Sequence, residues 1–410
     1  MNKARGAVIV GAGVAGVSVA KGLRSRGFEG PITLVNAEPC IPYDRPPLSK
    51  ELLSGDRSRD EIVLHPASFY DDLGVALLSG RRVLDIDRAH RQLRMERGET
   101  LAYDHLVMAT GARPRPLPCA VTGDQTLSRM FYLRDLDDAM ALRARLTGAA
   151  RLLVVGAGFI GLEVAASARR MGCRVTVLEA GQRVLERAAP ERISAFVQSL
   201  HRENGVEFRF DAQVDQIRED AQSISVRLRR GETFSADLVL VGIGAVPNEE
   251  IARAAGLHCD GGIVVDAQCR TADPHVYAVG DVAKAFSPLR ERHVRLEHWD
   301  SALHTGDVAA ATICGEPAAN DGVPWVWSDQ HGVNLQFLGW SDPRAERVLR
   351  GEPGGAAWGV IEVLEGRVIG AALVNAGRDR RPLQRLVRSG IPVDVARLAD
   401  SGVALKQWAA

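Results

Sequence analysis

The chain has 410 residues, 46% apolar and 25% charged, with 51 Lys plus Arg against 51 Asp plus Glu. A chain of this length and ordinary globular composition calls for two or three domains. The balanced charge excludes a global field that would draw in nucleic acid or an anionic membrane, although a local basic patch remains open.

The N-terminus, MNKARGAVIVGAG, is basic and then apolar, but the apolar run breaks at Gly11 and Gly13, which argues against a signal peptide. No stretch of about 18 apolar residues predicts a membrane span, and a cytoplasmic, reducing location is expected. Ala7–Val10 reads as a buried strand. GAGVAG follows at Gly11–Gly16, then an amphipathic helix to about Arg26, a stop at Gly27, and a second strand at Pro31–Val35 with Glu38 just beyond. This is the strand–turn–helix–strand–acid order of a dinucleotide site. Gly11 permits the turn, Gly13 lets backbone approach a pyrophosphate, Gly16 lets helix and strand pack, and the helix N-terminus offers free N–H groups. Glu38 is placed to accept ribose hydroxyls. A glycine-rich turn alone is common and carries little; the full order carries more.

The device recurs. Leu152–Val155 is a strand, GAGFIG spans Gly156–Gly161, a helix runs to about Met171, Gly172 ends it, and RVTVLE closes with Glu179. A bare Glu179 carboxylate favours a free 2′-hydroxyl and repels a 2′-phosphate, so NAD is preferred over NADP. Arg183 and Arg187 stand near enough in sequence to weaken that preference. Between the two devices, YDHLVMATGARPRPLP contains a strand ending in ATG and then prolines 114, 116 and 118, which suit an interdomain connection. After the second come the strands VEFRF, SISVRL and DLVLVG, the exit GIGAVPN, and TADPHVYAVGDVA, a strand running into Gly280–Asp281. A helix is predicted from near Glu297 toward Ile313. From about Pro324, WVWSDQ, VNLQFLG, WGVIEVL and RVIGAALV read as strands, followed by a helix near Arg380–Arg388.

The stretches ATGARP, GIGAVPN and VYAVGDV resemble those of two-dinucleotide flavoprotein reductases. PYDRPPLSK, RLEHWDSA and WVWSDQ narrow the resemblance to the NADH-dependent ferredoxin reductases that feed Rieske dioxygenases and haem monooxygenases, with rubredoxin reductases and apoptosis-inducing factor as relatives. It covers essentially the full length. One departure is VNAEP, where Ala37 stands in place of the first of two acids, so the ribose contact rests on Glu38.

The resemblance implies an α/β fold with two Rossmann-like domains of the glutathione-reductase type and a C-terminal α+β domain. It implies a split FAD domain (1–112 and 243–322), an inserted NAD domain (113–242) and a C-terminal interface domain (323–410). It places Gly11, Gly13, Gly16, Glu38, Arg45, Lys50, Ala109, Thr110, Gly111, Asp281, Glu297, Trp299 and Trp327 at FAD. It places Gly156, Gly158, Phe159, Ile160, Gly161, Glu163, Glu179, Arg187 and Gly244 at NADH. Glu163, expected on the first turn of its helix, and Lys50, which can pair with it, are the residues placed at the hydride junction; otherwise both are solvated surface charges. Trp325 and Trp327 share a strand face, so one of them is expected in the core and Trp327 at the flavin.

The six cysteines (40, 119, 173, 259, 269 and 314) are never closer than ten residues, which excludes CxxC motifs and cluster-binding runs. No metal site is expected. With no dithiol, electrons must leave singly, and the acceptor implied is a small iron–sulfur ferredoxin, expected to be of the [2Fe–2S] kind. Cys40, in EPCIPYDR, lacks the glycine neighbour of a peroxidase-type cysteine and is read as inert. Docking arginines are sought at Arg290, Arg292 and Arg295 and at Arg378, Arg380 and Arg381, against the alternative of a solvated charge run. Rival readings are a rubredoxin reductase, an NADH oxidase and, in another class, a redox-gated flavoprotein interaction module. Monomer and homodimer both stay open.

Overall fold

The computed structural model describes residues 6–122 and 127–408; the basic residues 1–5 weighed above as a leader lie outside the described residues. Two compact units divide the chain. One comprises residues 1–44, 60–113 and 246–324, the other 45–59, 114–245 and 325–410.

The first unit is built on a five-stranded parallel sheet in the order Val276–Ala278, His105–Met108, Ala7–Val10, Ile32–Asn36, Val75–Ser79. Ala7 pairs with both Ile32 and His105, so the glycine turn leaves the middle strand of the sheet. All four residues of Ala7–Val10 are buried, as a parallel strand covered on both faces requires. On one side Ile9, Leu34 and Val107 pack with Val19 and Leu23 of helix Val14–Ser25 and Val308 of helix Trp299–Ile313. On the other, Val8, Val10, Leu106 and Met108 meet Ile263, Val276 and Val282. The late helix starts at Trp299 with His298 as its N-cap, two residues beyond the expected Glu297, which therefore lies outside the helix. The three-stranded antiparallel sheet of Val83–Asp87, Gln92–Met95 and Thr100–Ala102 was not anticipated.

The second unit repeats the plan. Its parallel sheet runs Met130–Phe131, Leu238–Val241, Arg151–Val155, Arg174–Leu178, Val206–Arg209. Helices Phe159–Arg170 and Glu191–Glu203 cover it. The C-terminal residues form an antiparallel sheet, Trp325–Gln330, Val333–Gly339, Arg367–Val374, Trp358–Leu364, Glu346–Arg350, followed by helix Gly377–Ser389. The strand Glu346–Arg350 is the one member that the pattern did not announce. Leu335, Trp358 and Val374 of this sheet share a core with Leu162 and Val164 of the glycine-turn helix. Residues 45–59 fold here too: Leu53 is buried in that same core beside Leu142 and Leu146. Among the described residues, no helix is long and apolar enough to cross a membrane.

Candidate functional site

The two glycine turns have the same geometry. Gly11 and Gly156 hold φ of 110° and 105°, a region that disfavours any side chain. A Cβ at Gly16 would lie 2.0 Å from the Gly11 carbonyl oxygen, and one at Gly161 would lie 2.2 Å from that of Gly156. The helix can sit on its turn only because both positions are glycine. Gly13 and Gly158 differ: a Cβ there would meet nothing within 4 Å. Both are helix N-caps in extended conformation without a side-chain cap, so the first N–H groups face that open space. This is a cradle with room and donors for an anionic group. Gly13→Val is therefore expected to fold with near-native stability and bind a dinucleotide far more weakly, whereas Gly16→Val loses stability outright. Thermal unfolding and dinucleotide binding read the two apart, and equal binding by Gly13→Val counts against the cradle.

An acid flanks each cradle. Glu38 accepts the Tyr43 hydroxyl at 2.5 Å, and its N–H donates to Asn36 Oδ1 at 3.2 Å. Glu179 accepts the N–H groups of Ala157 at 2.6 Å and Gly181 at 2.7 Å, which fixes its carboxylate against the second turn. Arg183 gives its two terminal nitrogens to the Ala189 and Glu186 carbonyls. Arg187 is exposed, with Nη2 4.0 Å from where a Gly244 Cβ would stand.

In the first unit, Ala109 lies under Gly11, whose Cβ position is 2.1 Å from the Ala109 carbonyl oxygen. Thr110 and Gly111 are pinned to Asn248: Thr110 Oγ1 donates to the Asn248 carbonyl at 2.8 Å, Asn248 Nδ2 donates to the Thr110 carbonyl at 2.8 Å, and Asn248 N–H donates to the Gly111 carbonyl at 2.9 Å. Asp281 lies in the short turn Gly280–Val282, which the Thr305 hydroxyl holds by accepting Gly280 N–H at 3.0 Å. Glu297 pairs with Arg295 at 2.7 Å. The Trp299 indole donates to Asp44 at 2.8 Å. At the head of the same helix, the half-buried His298 has its pKa pushed down by desolvation.

In the second unit, Arg45 donates to the Arg134 carbonyl at 2.5 Å. Phe159 packs edge-to-face on Phe337 at 5.2 Å, while Ile160 is 44% exposed at the start of the glycine-turn helix. Trp325 and Trp327 stack at 5.0 Å, and Arg380 lies 4.1 Å over the outer ring, Trp325.

Glu163 is not on the first helical turn: it is the fifth residue of Phe159–Arg170 and points inward, 3% exposed. Lys50 Nζ is 3.1 Å from Glu163 Oε2, with its side chain 12% exposed, so neither is a solvated surface charge. Two serines complete the carboxylate: Ser49 Oγ donates to Oε2 at 2.5 Å and Ser328 Oγ to Oε1 at 2.6 Å. A buried carboxylate needs such partners to stay charged. Both serines escaped the sequence reading. Ser328 had a signal: in WVWSDQ, strand alternation puts it and Gln330 opposite the tryptophans, on a face that proves buried. Among the described residues, none of the six cysteines is in a disulfide.

A family model described as pyridine nucleotide-disulphide oxidoreductase matches residues 6–306, and one described as reductase C-terminal matches 325–409. The chain is 44% identical to the ferredoxin–NAD(+) reductase component of the anthranilate 1,2-dioxygenase system of Burkholderia cepacia, covering 98% of each. It is 40% identical to putidaredoxin reductase of Pseudomonas putida, covering 99% of this chain and 97% of the relative. Among solved structures, the covalent putidaredoxin reductase–putidaredoxin complex matches with a TM-score of 0.94 at 39% identity, over 98% of this chain and 97% of that one. A ferredoxin reductase from Rhodopseudomonas palustris matches with a TM-score of 0.94 at 36% identity, over 98% and 100%.

Proposed function

This chain belongs to the pyridine nucleotide-disulphide oxidoreductase family, in its branch of oxygenase-coupled ferredoxin reductases, and from that premise we propose that it takes a hydride from NADH onto FAD and hands the electrons singly to a [2Fe–2S] ferredoxin. The observation that carries this reading is the doubled cradle, with an open helix N-terminus and a flanking acid each time.

The first cradle, within residues 1–112 and 243–322, is assigned to FAD, and the second, within 113–242, to NADH; residues 323–410 form the interface domain. A bound flavin supplies the two-electron acceptor that releases electrons one at a time. The chain's own residues do the rest. Gly13 and Gly158 leave backbone N–H groups open to the pyrophosphates, and Glu38 and Glu179 accept ribose hydroxyls. Thr110, Gly111 and Asp281 would line the flavin side. Lys50 and Glu163 hold a fixed, largely dehydrated charge pair at the hydride junction, where a preorganised field acts most strongly. No cysteine pair offers an internal route for the electrons, which favours an external acceptor. An acidic ferredoxin suits the helix Gly377–Ser389, where Arg378 and Arg381 are exposed and Arg380 caps the tryptophan stack.

The purified chain is expected to be yellow and to reduce cytochrome c from NADH only when a [2Fe–2S] ferredoxin is added. The rate should fall with added salt and be higher with NADH than with NADPH. Peroxide production that accounts for the NADH consumed, with no response to ferredoxin, supports an NADH oxidase instead.

A further inference from the structure

The Lys50–Glu163 pair is the end of a longer buried chain of hydrogen bonds. Ser328 Oγ, which donates to Glu163 Oε1 at 2.6 Å, accepts from Gln330 Nε2 at 2.9 Å. Gln330 Oε1 is 2.8 Å from His201 Nε2, and His201 Nδ1 is 3.3 Å from His331 Nε2. Ser328, Gln330 and His201 are each at most 1% exposed.

The direction of these bonds follows from the donor inventory. A serine hydroxyl has one proton, and here it goes to Glu163 because the amide nitrogen of Gln330 supplies the oxygen's other partner. That leaves the amide oxygen toward His201, and an amide oxygen only accepts, so His201 carries its proton on Nε2. Burial pushes the pKa of His201 down to about 4, so near neutral pH the ring is uncharged and Nδ1 is an acceptor. His331 Nε2 is then its donor. Every bond points toward Glu163, an arrangement in which each bond polarises the next.

The same atoms permit the reverse. With the His201 proton on Nδ1, Nε2 would accept, the Gln330 amide would turn over, and its oxygen would take the Ser328 proton. Glu163 would lose one of its donors while remaining buried. The tautomer of a histidine on helix Glu191–Glu203 thus decides how the carboxylate is held.

We propose that His201 and Gln330 are positioning residues for the Lys50–Glu163 pair, committing the Ser328 proton to Glu163 and so keeping the carboxylate hydrogen-bonded and in register; this rests on the placing of that pair at the hydride junction. Neither residue touches the reacting groups. Their effect passes through Ser328 alone.

Two measurements on the holoenzyme test it. In protein labelled with ¹⁵N-histidine, the His201 signals, assigned by their loss in His201→Gln, should report hydrogen on Nε2 and a bare Nδ1; hydrogen on Nδ1 overturns the proposal whatever the variants do. In single-turnover flavin reduction by NADH, Gln330→Leu should slow the step about tenfold, as expected for neighbours coupled in one network. The same substitution made in Glu163→Gln should add no further slowing. Equal slowing in both backgrounds, or none in either, overturns the positioning role alone. A Glu163→Gln enzyme as fast as wild type overturns the placing of the pair and this proposal with it.

Discussion

Lys50→Met is expected to slow NADH-driven flavin reduction about a hundredfold and to lower the unfolding free energy by about 3 kcal/mol. Methionine fills much the same volume, so packing changes little. What is lost is the cation 3.1 Å from a carboxylate that is 3% exposed. Removing one partner of a buried pair strands the other, and the loss falls at the low end of the range because Ser49 and Ser328 still donate. Adding Glu163→Gln removes the stranded charge and keeps acceptor atoms for both serines. The double variant should therefore regain most of the stability and none of the rate. Recovery of both together would mean that the pair serves only the fold. Stopped-flow absorbance of the flavin and thermal unfolding supply the two readouts.

Arg350→Met should cost about 3–5 kcal/mol, the penalty of breaking a buried, multiply bonded charge. Arg350, 6% exposed at the end of strand Glu346–Arg350, holds four groups at once. Its Nε donates to Asp379 Oδ2 at 3.2 Å, Nη1 to the carbonyls of Leu398 at 3.0 Å and Asp400 at 2.6 Å, and Nη2 to that of Val403 at 2.7 Å. The last residues are tied to the C-terminal sheet through this one guanidinium, together with the burial of Leu398 and Leu405. Limited proteolysis should then cut first within residues 395–408. Arg350→Lys should rescue little, since an ammonium cannot reproduce the fork. A melting temperature within a degree or so of wild type, with no new cleavage, contradicts this role.

Both glycine turns were legible because Gly11, Gly16, Gly156 and Gly161 each have a steric reason that no other residue meets. Most strands of the two parallel sheets were legible as short apolar runs, Val75–Ser79 and Met130–Phe131 excepted, and those of the C-terminal sheet largely so. Edges were not. The pattern at 83–102 is too polar on its outer face to separate strand from loop, with Leu84, Asp85 and Asp87 all exposed. The helix expected from near Glu297 begins at Trp299, with His298 in extended conformation as its N-cap and Glu297 paired to Arg295 ahead of it. At the site, charged Lys50 and Glu163 drew attention through resemblance, whereas Ser49, Ser328, Gln330 and His201 did not. Serine and glutamine are common on surfaces, and only the fold shows that these are buried. Nor does sequence distance suggest that residues 45–59 pack in the unit holding the second cradle.

The central claim is that electrons arrive in pairs and leave singly. Its most direct test is an anaerobic count: limiting NADH is added to catalytic holoenzyme with excess oxidised [2Fe–2S] ferredoxin, and reduced ferredoxin is measured. About two reduced ferredoxins per NADH are expected. A flavin that NADH bleaches while the ferredoxin stays oxidised contradicts the account.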